Sequence, residues 1–525
     1  MLTPDPDELA ATAARLGIPL TREELAVLHD RLGPELETAE RLMNLRLPAA
    51  RLPLRFPARE PGHAPTPEED PGQAWVWRCE IGGGEGSLAG LRFGVKDHVA
   101  VAGLPMTFAA YAMSGLVADL DATVVTRMLD AGARLVGKLN MDNYSSAATG
   151  LGGFGDGLRV HNPHRRDHIA GGSSSGAAAA VAAGDCDIAL AGDQAGSIRV
   201  PAAWCGILGL KPTFGLVPHT GVVSASEPTI DHIGPLTRTV APMAAAMAVL
   251  AGPDGHDSRQ AEAGAHLPGF TLPDRPGIAG LRIGLLAEGF AEPIDPEVLA
   301  CIDAAVATLS ELGAAVSRVS VPLHDVVPDA YSALTVEGAR FLWDTNWVGA
   351  FTRDYLPERI SAALGRMRDA DLAYLPPNMK LNYLVAEYRR HRFKGAVYAR
   401  AQNLRPAFTA AYDDALESVD VLLMPTAPMT APPFEPATST LDALDRTLFG
   451  GKTGTQLVGI GRNTLPFNYT GHPALSVPCG TTRTGRMPVG FQIVGRHFAD
   501  DLLLRVAAAY EHRVGAVEPV RPASR

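Results

Sequence analysis

The sequence predicts an α/β layered fold that is preceded by a helical extension and interrupted by a mostly helical lobe. Strand and helix signals alternate after about residue 74, which is typical of layered α/β domains. The alternation stops at 325–415, a region rich in Arg, Tyr and Leu. A chain of 525 residues, 46% hydrophobic and 20% charged, is long enough for one large domain with additions or for two to three domains.

Residues 1–46 are predicted to be helical. Asp5 followed by Pro6 is typical of a cap and a first helical position. Thr21 and Glu24 fit a capping box at the start of a second helix. The stretch 47–72 is rich in proline and has no periodicity, which predicts a linker or surface segment. We therefore assign residues 1–74 to an N-terminal extension and linker.

The core is predicted to comprise residues 75–324 and 416–525, with 325–415 as the insertion lobe. Apolar residues alternate at 91–95, as in a strand. Segment 121–132 begins with a cap residue and ends at glycine, and 176–184 is a small-residue helix. A buried helix is predicted at 240–252. Further strands are predicted at 133–140, 186–191, 206–210, 281–286, 315–321, 419–426, 474–478 and 489–495.

Composition disfavours several classes of function. The net charge of −11 and the lack of a long basic run argue against a nucleic-acid partner. No run of about 18 apolar residues and no N-terminal apolar signal core are present, so we expect no membrane span and a cytoplasmic location. No two cysteines have metal-ligand or redox spacing, which predicts free thiols in a reducing compartment. The five are Cys79, Cys186, Cys205, Cys301 and Cys479.

Two motif matches are weak. Gly150, Gly152 and Gly155 fit the dinucleotide-binding pattern, but no apolar strand precedes them and no periodic helix follows. Residues 172–176, GSSSG, fit the nucleophile elbow of α/β-hydrolases. The polar segment before them, HRRDHIAG, is not typical of the buried strand that an elbow requires.

Three segments carry candidate chemistry. Ser197 follows a turn with Gly192 and Gly196, where exposed N–H groups could hold an oxyanion; a helix-cap serine is the alternative. The run AGGSSSGAAAAVAAG from Ala170 enters a compact helix directly, which argues against a flexible linker. Lys96 ends a predicted strand. It is either an exposed lysine or a buried amine whose pKa falls from ~10.4 toward ~7–8, so that it acts as a base.

Together these segments resemble the amidase signature family. The matching stretches are FGVKDHV around Lys96, AGGSSSGAAAAVAAG, AGDQAGSIRVPAAWCGILGLKPTFGLVP around Ser197, DHIGPLTRTV and GHPALSVPCG. The residues near Ser197 are most similar to the nitrile-hydratase-associated enantioselective aliphatic amidases. The resemblance covers about residues 75–500. It implies the amidase-signature fold, with a mixed central β-sheet flanked by helices.

The resemblance also implies roles for individual residues. Ser197 is expected to be the nucleophile, Ser173 a bridging serine after a cis peptide bond, and Lys96 the base. The N–H groups of Gln194, Ala195, Gly196 and Ser197 are expected to line the oxyanion hole. The implied activity is hydrolysis of a small-molecule carboxylic amide to an acid plus ammonia or amine, by a homodimer without a metal or organic cofactor.

Several alternatives stay open from the sequence. The same acyl transfer would cleave a carbamate, an anilide or an ester. Ala195 stands where most members have glycine, which leaves room for a silent binding subunit of the same fold. A Ser-His-Asp hydrolase using His472 or another histidine is a further option. Tyr111, Tyr144, Trp204 and the 325–415 lobe are candidates for shaping the acyl pocket, although packing in the core is the more common role of such residues.

Overall fold

The computed structural model describes residues 4–520, with gaps at 46–51, 53, 111–112, 114, 147–158, 225, 349–353, 372–374, 437, 443 and 445–457. The chain forms two compact units, residues 1–53 and 54–525. The boundaries predicted at 74, 324 and 415 stay predictions. The glycine motif at 150–155 and Tyr111 lie outside the described residues.

The first unit contains two helices, α1 (Pro6–Leu16) and α2 (Arg22–Met43). The Glu8 N–H donates to the Asp5 carboxylate at 2.7 Å. The Thr21 hydroxyl accepts from the Glu24 N–H at 3.1 Å, and the Glu24 carboxylate accepts from the Thr21 N–H at 2.7 Å. Both helix starts predicted from the sequence are therefore confirmed, and the second is a complete capping box.

The second unit is built on one mixed sheet of eleven strands among the described residues, in the order β1-β3-β2-β4-β6-β5-β10-β11-β9-β7-β8. The strands are β1 (Trp75–Gly82), β2 (Arg92–Lys96), β3 (Arg134–Leu139), β4 (Ile188–Asp193), β5 (Leu208–Lys211), β6 (His232–Thr237), β7 (Arg282–Leu286), β8 (Ala315–Val319), β9 (Val421–Pro425), β10 (Ala474–Thr481) and β11 (Pro488–Val494).

Helices flank this sheet on both faces and also make up most of residues 325–415, the segment predicted to be a lobe. They are α3 (Thr123–Asp130), α4 (Ser175–Ala183), α5 (Arg199–Cys205), α6 (Val240–Leu250), α7 (Pro296–Glu311), α8 (Val327–Asp344), α9 (Glu358–Asp371), α10 (Pro377–Phe393), α11 (Ala396–Ser418), α12 (Val458–Gly461), α13 (Leu465–Thr470) and α14 (Asp500–Val514). None of the described helices has the length and apolar character needed to span a bilayer.

The period-two alternation of the strands divides the core into two layers. In β4, Ile188 and Leu190 pack into the cluster that includes α3, α6, α7 and α14. Ala189 and Ala191 face the opposite way and pack against α4 and α5. Their small side chains let the alanine-rich helix α4 lie close to the sheet, which places its first residues near the ends of the central strands.

Strand direction determines where the functional segments meet. Strand β2 is parallel to both of its neighbours, β3 and β4. The carboxyl ends of parallel strands meet at one edge of a sheet. Lys96 at the end of β2 and Asp193 at the end of β4 are therefore brought to the same edge.

The α/β fold with a mixed, helix-flanked sheet is confirmed, and the predicted strands correspond to β2–β5 and β7–β11. Strands β1 and β6 were not predicted. Pro235 lies inside β6 and disguises it, because proline is rare in central strands. Pro235 pairs with Leu190 of β4. On its other side, β5 pairs with β6 only at Thr237 and Leu236, so the missing N–H of Pro235 removes no hydrogen bond from the β5–β6 ladder.

Candidate functional site

Lys96 is held at the end of β2 and is almost completely buried, with 1% of its surface exposed. Its Nζ lies 2.7 Å from Ser173 Oγ. The following residue, Asp97, anchors the strand end through a buried ion pair with Lys138 at 3.1 Å. It also accepts hydrogen bonds from the Thr107 N–H and hydroxyl. The amine is therefore presented to Ser173 by a fixed strand end.

Burial lowers the pKa of Lys96 from its ordinary value to about 8, because the charged ammonium loses its hydration. The carboxylates of Asp142, Asp231 and Asp193 oppose this shift. A pKa near 8 leaves a useful fraction of neutral amine at neutral pH. The amine can therefore accept a proton from a hydroxyl within hydrogen-bond distance.

Ser173 lies in the turn that leads into α4. The peptide bond between Gly172 and Ser173 is cis, and Gly171 has φ +81°. Ser173 is fully buried. A side chain at Gly176 would lie 2.3 Å from the Ala74 carbonyl and 2.6 Å from the Asn140 N–H, so glycine permits the close approach of α4. The segment is an ordered, buried turn, which excludes the flexible-linker interpretation.

Ser197 lies in the turn between β4 and α5. Gly196 has φ +122°, and a Cβ there would lie 2.3 Å from Thr464 Oγ1, so this position requires glycine. The φ angle of Ala195 is not in the positive, left-handed range. Alanine at that position therefore carries no left-handed strain. Ala195 also lines the larger of the two cavities described below.

A small cavity of about 10 Å³ joins these groups. Its lining includes Lys96, His98, Ser173, Ser197 and Asp231. The hydrogen bonds of the described residues link Lys96 directly to Ser173 but do not link Ser173 to Ser197. A proton would pass between the serines after a small side-chain movement, or through one water, for which the cavity has about the necessary volume.

A buried ion pair braces the turn that carries Ser197. Asp193 and Arg199 are both 0% exposed and lie 2.9 Å apart. The Asp193 carboxylate also accepts from the Gly196 N–H at 2.7 Å and the Ile198 N–H at 3.0 Å. Burial would raise the pKa of Asp193, but the Arg199 guanidinium and these donors hold the pKa below its usual value. The pair therefore fixes the backbone on both sides of Ser197.

The predicted oxyanion donors divide into two groups. The Gly196 N–H is already engaged by Asp193. The hydrogen bonds of the described residues engage none of the N–H groups of Gln194, Ala195 and Ser197. These three remain available to an anion formed next to Ser197.

Charged and imidazole groups surround the small cavity. Burial raises the pKa of Asp231 to about 6. Burial, with a further contribution from Lys96, lowers the pKa of His98 to about 3. His98 Nδ1 donates to the Val223 carbonyl at 3.0 Å, so Nε2 carries the lone pair. A neutral His98 adds no positive charge beside Lys96, which helps the amine to stay neutral.

A larger cavity of about 150 Å³ opens from Ser197. Helices α8 and α10 of the lobe supply one wall of it. Its aromatic and apolar lining residues are Tyr144, Ala195, Val200, Tyr331, Val336, Ala339, Trp343, Leu375, Met379, Tyr383 and Ile460. Arg340 is the charged side chain among the described lining residues, and it is neutralised by Asp344 at 2.9 Å and Glu387 at 3.2 Å.

The structure therefore brings together Lys96, Ser173, Ser197 and the Gln194–Gly196 turn, which the sequence singled out. Tyr144 lines the larger cavity, but Trp204 does not; it is buried and donates to the Met429 carbonyl at 2.8 Å. His472 lines neither cavity.

Sequence reasoning missed Asp193, Arg199 and Asp231, as well as the lobe residues Tyr331, Trp343 and Tyr383. A charged pair inside an apolar segment was the available signal for Asp193 and Arg199. Among the described residues, one group could hold a metal ion, namely Asp413, His472 and His497. None of the three lines either cavity.

Comparisons with known proteins agree on one family. The Amidase family model matches residues 76–504. An enantioselective amidase from Rhodococcus rhodochrous is 37% identical over 468 residues, covering 87% of this chain and 86% of that protein. A glutamyl-tRNA(Gln) amidotransferase subunit from Picosynechococcus sp. is 36% identical over 454 residues, which cover 85% of this chain and 89% of that protein. The crystal structure of a glutamyl-tRNA(Gln) amidotransferase subunit from Thermotoga maritima matches with a TM-score of 0.68 at 25% sequence identity. The match covers 87% of this chain and 92% of that one.

Replacing Arg199 by methionine should destabilise the protein by about 3–5 kcal/mol, because the Asp193 carboxylate would stay buried without its partner. Urea unfolding followed by circular dichroism measures the change. Arg513 forms an exposed pair with Glu311, and Arg513→Met is the matched control, with an expected change of at most about 1 kcal/mol. If both substitutions lowered the free energy of unfolding equally, the buried pair between Asp193 and Arg199 would not be what stabilises this turn.

Proposed function

The chain belongs to the Amidase family, and on that premise we propose that it hydrolyses a carboxylic amide with Ser197 as nucleophile, Ser173 as bridge and Lys96 as base. The observation that carries the proposal is the buried amine of Lys96, 2.7 Å from Ser173 Oγ, with Ser197 on the same small cavity. Burying a lysine beside a hydroxyl costs free energy, and ionisable groups buried in a cleft in this way are typical of functional sites.

The first half of the reaction forms an acyl-enzyme. Neutral Lys96 takes a proton from Ser173 Oγ, and Ser173 takes the proton of Ser197. Ser197 Oγ attacks the amide carbon, and negative charge develops on the carbonyl oxygen. The N–H groups of Gln194, Ala195 and Ser197 would hold that charge. Loss of one such donor typically costs about 2.7–4 kcal/mol of transition-state stabilisation.

The second half of the reaction releases the nitrogen and restores the enzyme. Ser173 returns a proton to the departing nitrogen and is reprotonated by Lys96, because an unprotonated amide nitrogen is a poor leaving group. Water then attacks the acyl-enzyme, with the same relay accepting its proton. Lysine and two hydroxyls supply every proton transfer in this scheme.

The larger cavity favours an acyl group with an apolar or aromatic body. Tyr144, Tyr331, Trp343 and Tyr383 offer ring surfaces. The volume of about 150 Å³ suits a small substrate. We infer a primary amide of an aryl-substituted or branched carboxylic acid as the preferred class. An anilide, carbamate or ester of the same acid would be attacked by the same route.

A second candidate function comes from the relatives named as glutamyl-tRNA(Gln) amidotransferase subunits, a name that indicates amide transfer by a complex. We consider free glutamine as the amide donor for this candidate. Free glutamine carries an α-ammonium and an α-carboxylate, which need charged partners in a cavity. The one charged side chain among the described lining residues, Arg340, is already paired with two carboxylates. This arrangement favours the amidase over a glutamine-specific subunit. Homodimer formation and a cytoplasmic location stay predictions.

A fluorophosphonate probe should label Ser197 in the folded protein, because an activated serine attacks the phosphorus centre. Mass spectrometry of the digested protein locates the adduct. Ser197→Ala should abolish labelling. Ser310→Ala, on the exposed part of α7, should label like the wild type.

The same preparations distinguish the candidate functions by ammonia release. Release from 2-phenylpropanamide but not from glutamine is the expected result. Glutamine as the better substrate would favour the amidotransferase hypothesis. Folded protein that neither labels at Ser197 nor releases ammonia would establish a silent binding subunit instead.

The rate of probe labelling and kcat/KM for the amide should rise with pH through about 8. The pKa of Lys96 is lowered to about 8, so the neutral base accumulates as pH rises through that value. Below it, each pH unit should change the rate about tenfold, and above it the rate should level off. Circular dichroism at each pH confirms that the protein stays folded. A maximum near pH 5 would contradict a lysine base.

A further inference from the structure

Two histidines and an aspartate converge at a point away from both cavities. Asp413 lies on α11, His472 follows α13, and His497 follows β11. One ligand atom from each lies within 4.8 Å of the other two. Imidazole and carboxylate together are a ligand set typical of Zn²⁺ and neighbouring transition metals. We propose that these three side chains bind one Zn²⁺ ion per chain.

A single residue, Thr470, fixes the orientation of both imidazoles. Its hydroxyl donates to the Pro466 carbonyl at 3.0 Å and therefore accepts from His472 Nδ1 at 2.9 Å. Its backbone carbonyl accepts from His497 Nε2 at 3.0 Å. The neutral rings thus carry their protons on the Thr470 side. Outer hydrogen bonds of this kind are the usual way in which metal-binding histidines are oriented.

These tautomers aim two lone pairs at the same carboxylate. His472 Nε2 lies 3.1 Å from Asp413 Oδ1, and His497 Nδ1 lies 3.9 Å from that oxygen. The two imidazole lone pairs and the carboxylate oxygen that they face repel one another unless a cation or a proton lies between them. Ligand atoms about 2.0–2.1 Å from a tetrahedral Zn²⁺ are about 3.3–3.4 Å apart. These two separations require only small side-chain shifts to reach that spacing, and the two histidine nitrogens lie within 4.8 Å of each other.

The local backbone explains why these groups meet. Gly471, between Thr470 and His472, has φ +84° and ends α13 in a left-handed turn. A Cβ at this glycine would lie 3.3 Å from His497 Nε2. The turn therefore lets His497 approach while it directs His472 toward α11. His472 also packs edge-on against Tyr412, the residue before the aspartate.

Exposure leaves a route for the ion and room for water. The side chain of His472 is fully buried, whereas those of His497 and Asp413 are 29% and 49% exposed. Three protein ligands with one open side leave a fourth tetrahedral position for a water molecule. A bound ion would link α11 to the segments after α13 and β11, so we expect it to raise the thermal stability.

The test uses the full-length, tag-free protein after treatment with a chelator. Isothermal titration with ZnCl₂ at pH 7.5 gives the stoichiometry and affinity, and Co²⁺ as a probe reports tetrahedral geometry by its visible absorption. The site predicts one ion per chain. Asp413→Asn and His497→Gln should each weaken binding at least about tenfold. Asp414→Asn, one residue along the same helix and exposed, is the matched control and should bind like the wild type.

Thermal unfolding supplies the second readout. Zinc should raise Tm for the wild type and for Asp414→Asn, and should raise it much less for Asp413→Asn at the same zinc concentration. Circular dichroism confirms that each variant is folded before titration. If the wild type binds no stoichiometric zinc, or if Asp413→Asn and His497→Gln bind it as tightly as the wild type, the proposal is wrong. In that case the cluster is a hydrogen-bonded contact between His472 and Asp413 only.

Discussion

The contact between Lys96 Nζ and Ser173 Oγ is the interaction on which the proposed chemistry depends. It exists because parallel strands β2 and β4 end at the same edge of the sheet and because the alanine-rich helix α4 packs close to that edge. Burial removes water from the amine and lowers its pKa to about 8, while nearby carboxylates limit the shift. The fold thus leaves Lys96 basic enough to accept a proton and gives it a substantial neutral fraction near pH 8.

The brace between Asp193 and Arg199 has a different role. Burying two charges is stabilising only when their hydrogen bonds are nearly complete. Here Arg199 also donates to Gln492, Asn468 and the Thr464 carbonyl, so the guanidinium is well satisfied. Because the carboxylate holds the N–H groups of Gly196 and Ile198, the turn around Ser197 keeps its shape without help from a ligand. A preorganised turn needs less rearrangement as charge develops on the substrate.

Local sequence was enough to predict what lies within one segment. The capping box of α2, the alternation in β2, and the Gly/Ser turns around Ser173 and Ser197 each result from short-range preferences. Contacts between distant segments had no such local signal, and the meeting of Lys96, Ser173 and Ser197 was expected only from the resemblance to the amidase signature family. Tyr331, Trp343 and Tyr383 reach the cavity only because α8 and α10 pack together in the lobe. Strand β6 was missed because it contains Pro235, and proline is rare in central strands.

Exchanging the amine for a permanent cation tests the central claim most directly. Lys96→Arg keeps the positive charge but cannot give up a proton near neutral pH, whereas Lys96→Met removes the charge at similar length. The labelling rate of Ser197 by the fluorophosphonate probe is measured for both variants, with circular dichroism confirming that each is folded. Our account predicts that both variants lose nearly all labelling at every pH. Labelling of folded Lys96→Arg at close to the wild-type rate would contradict it, because a cation alone would then suffice.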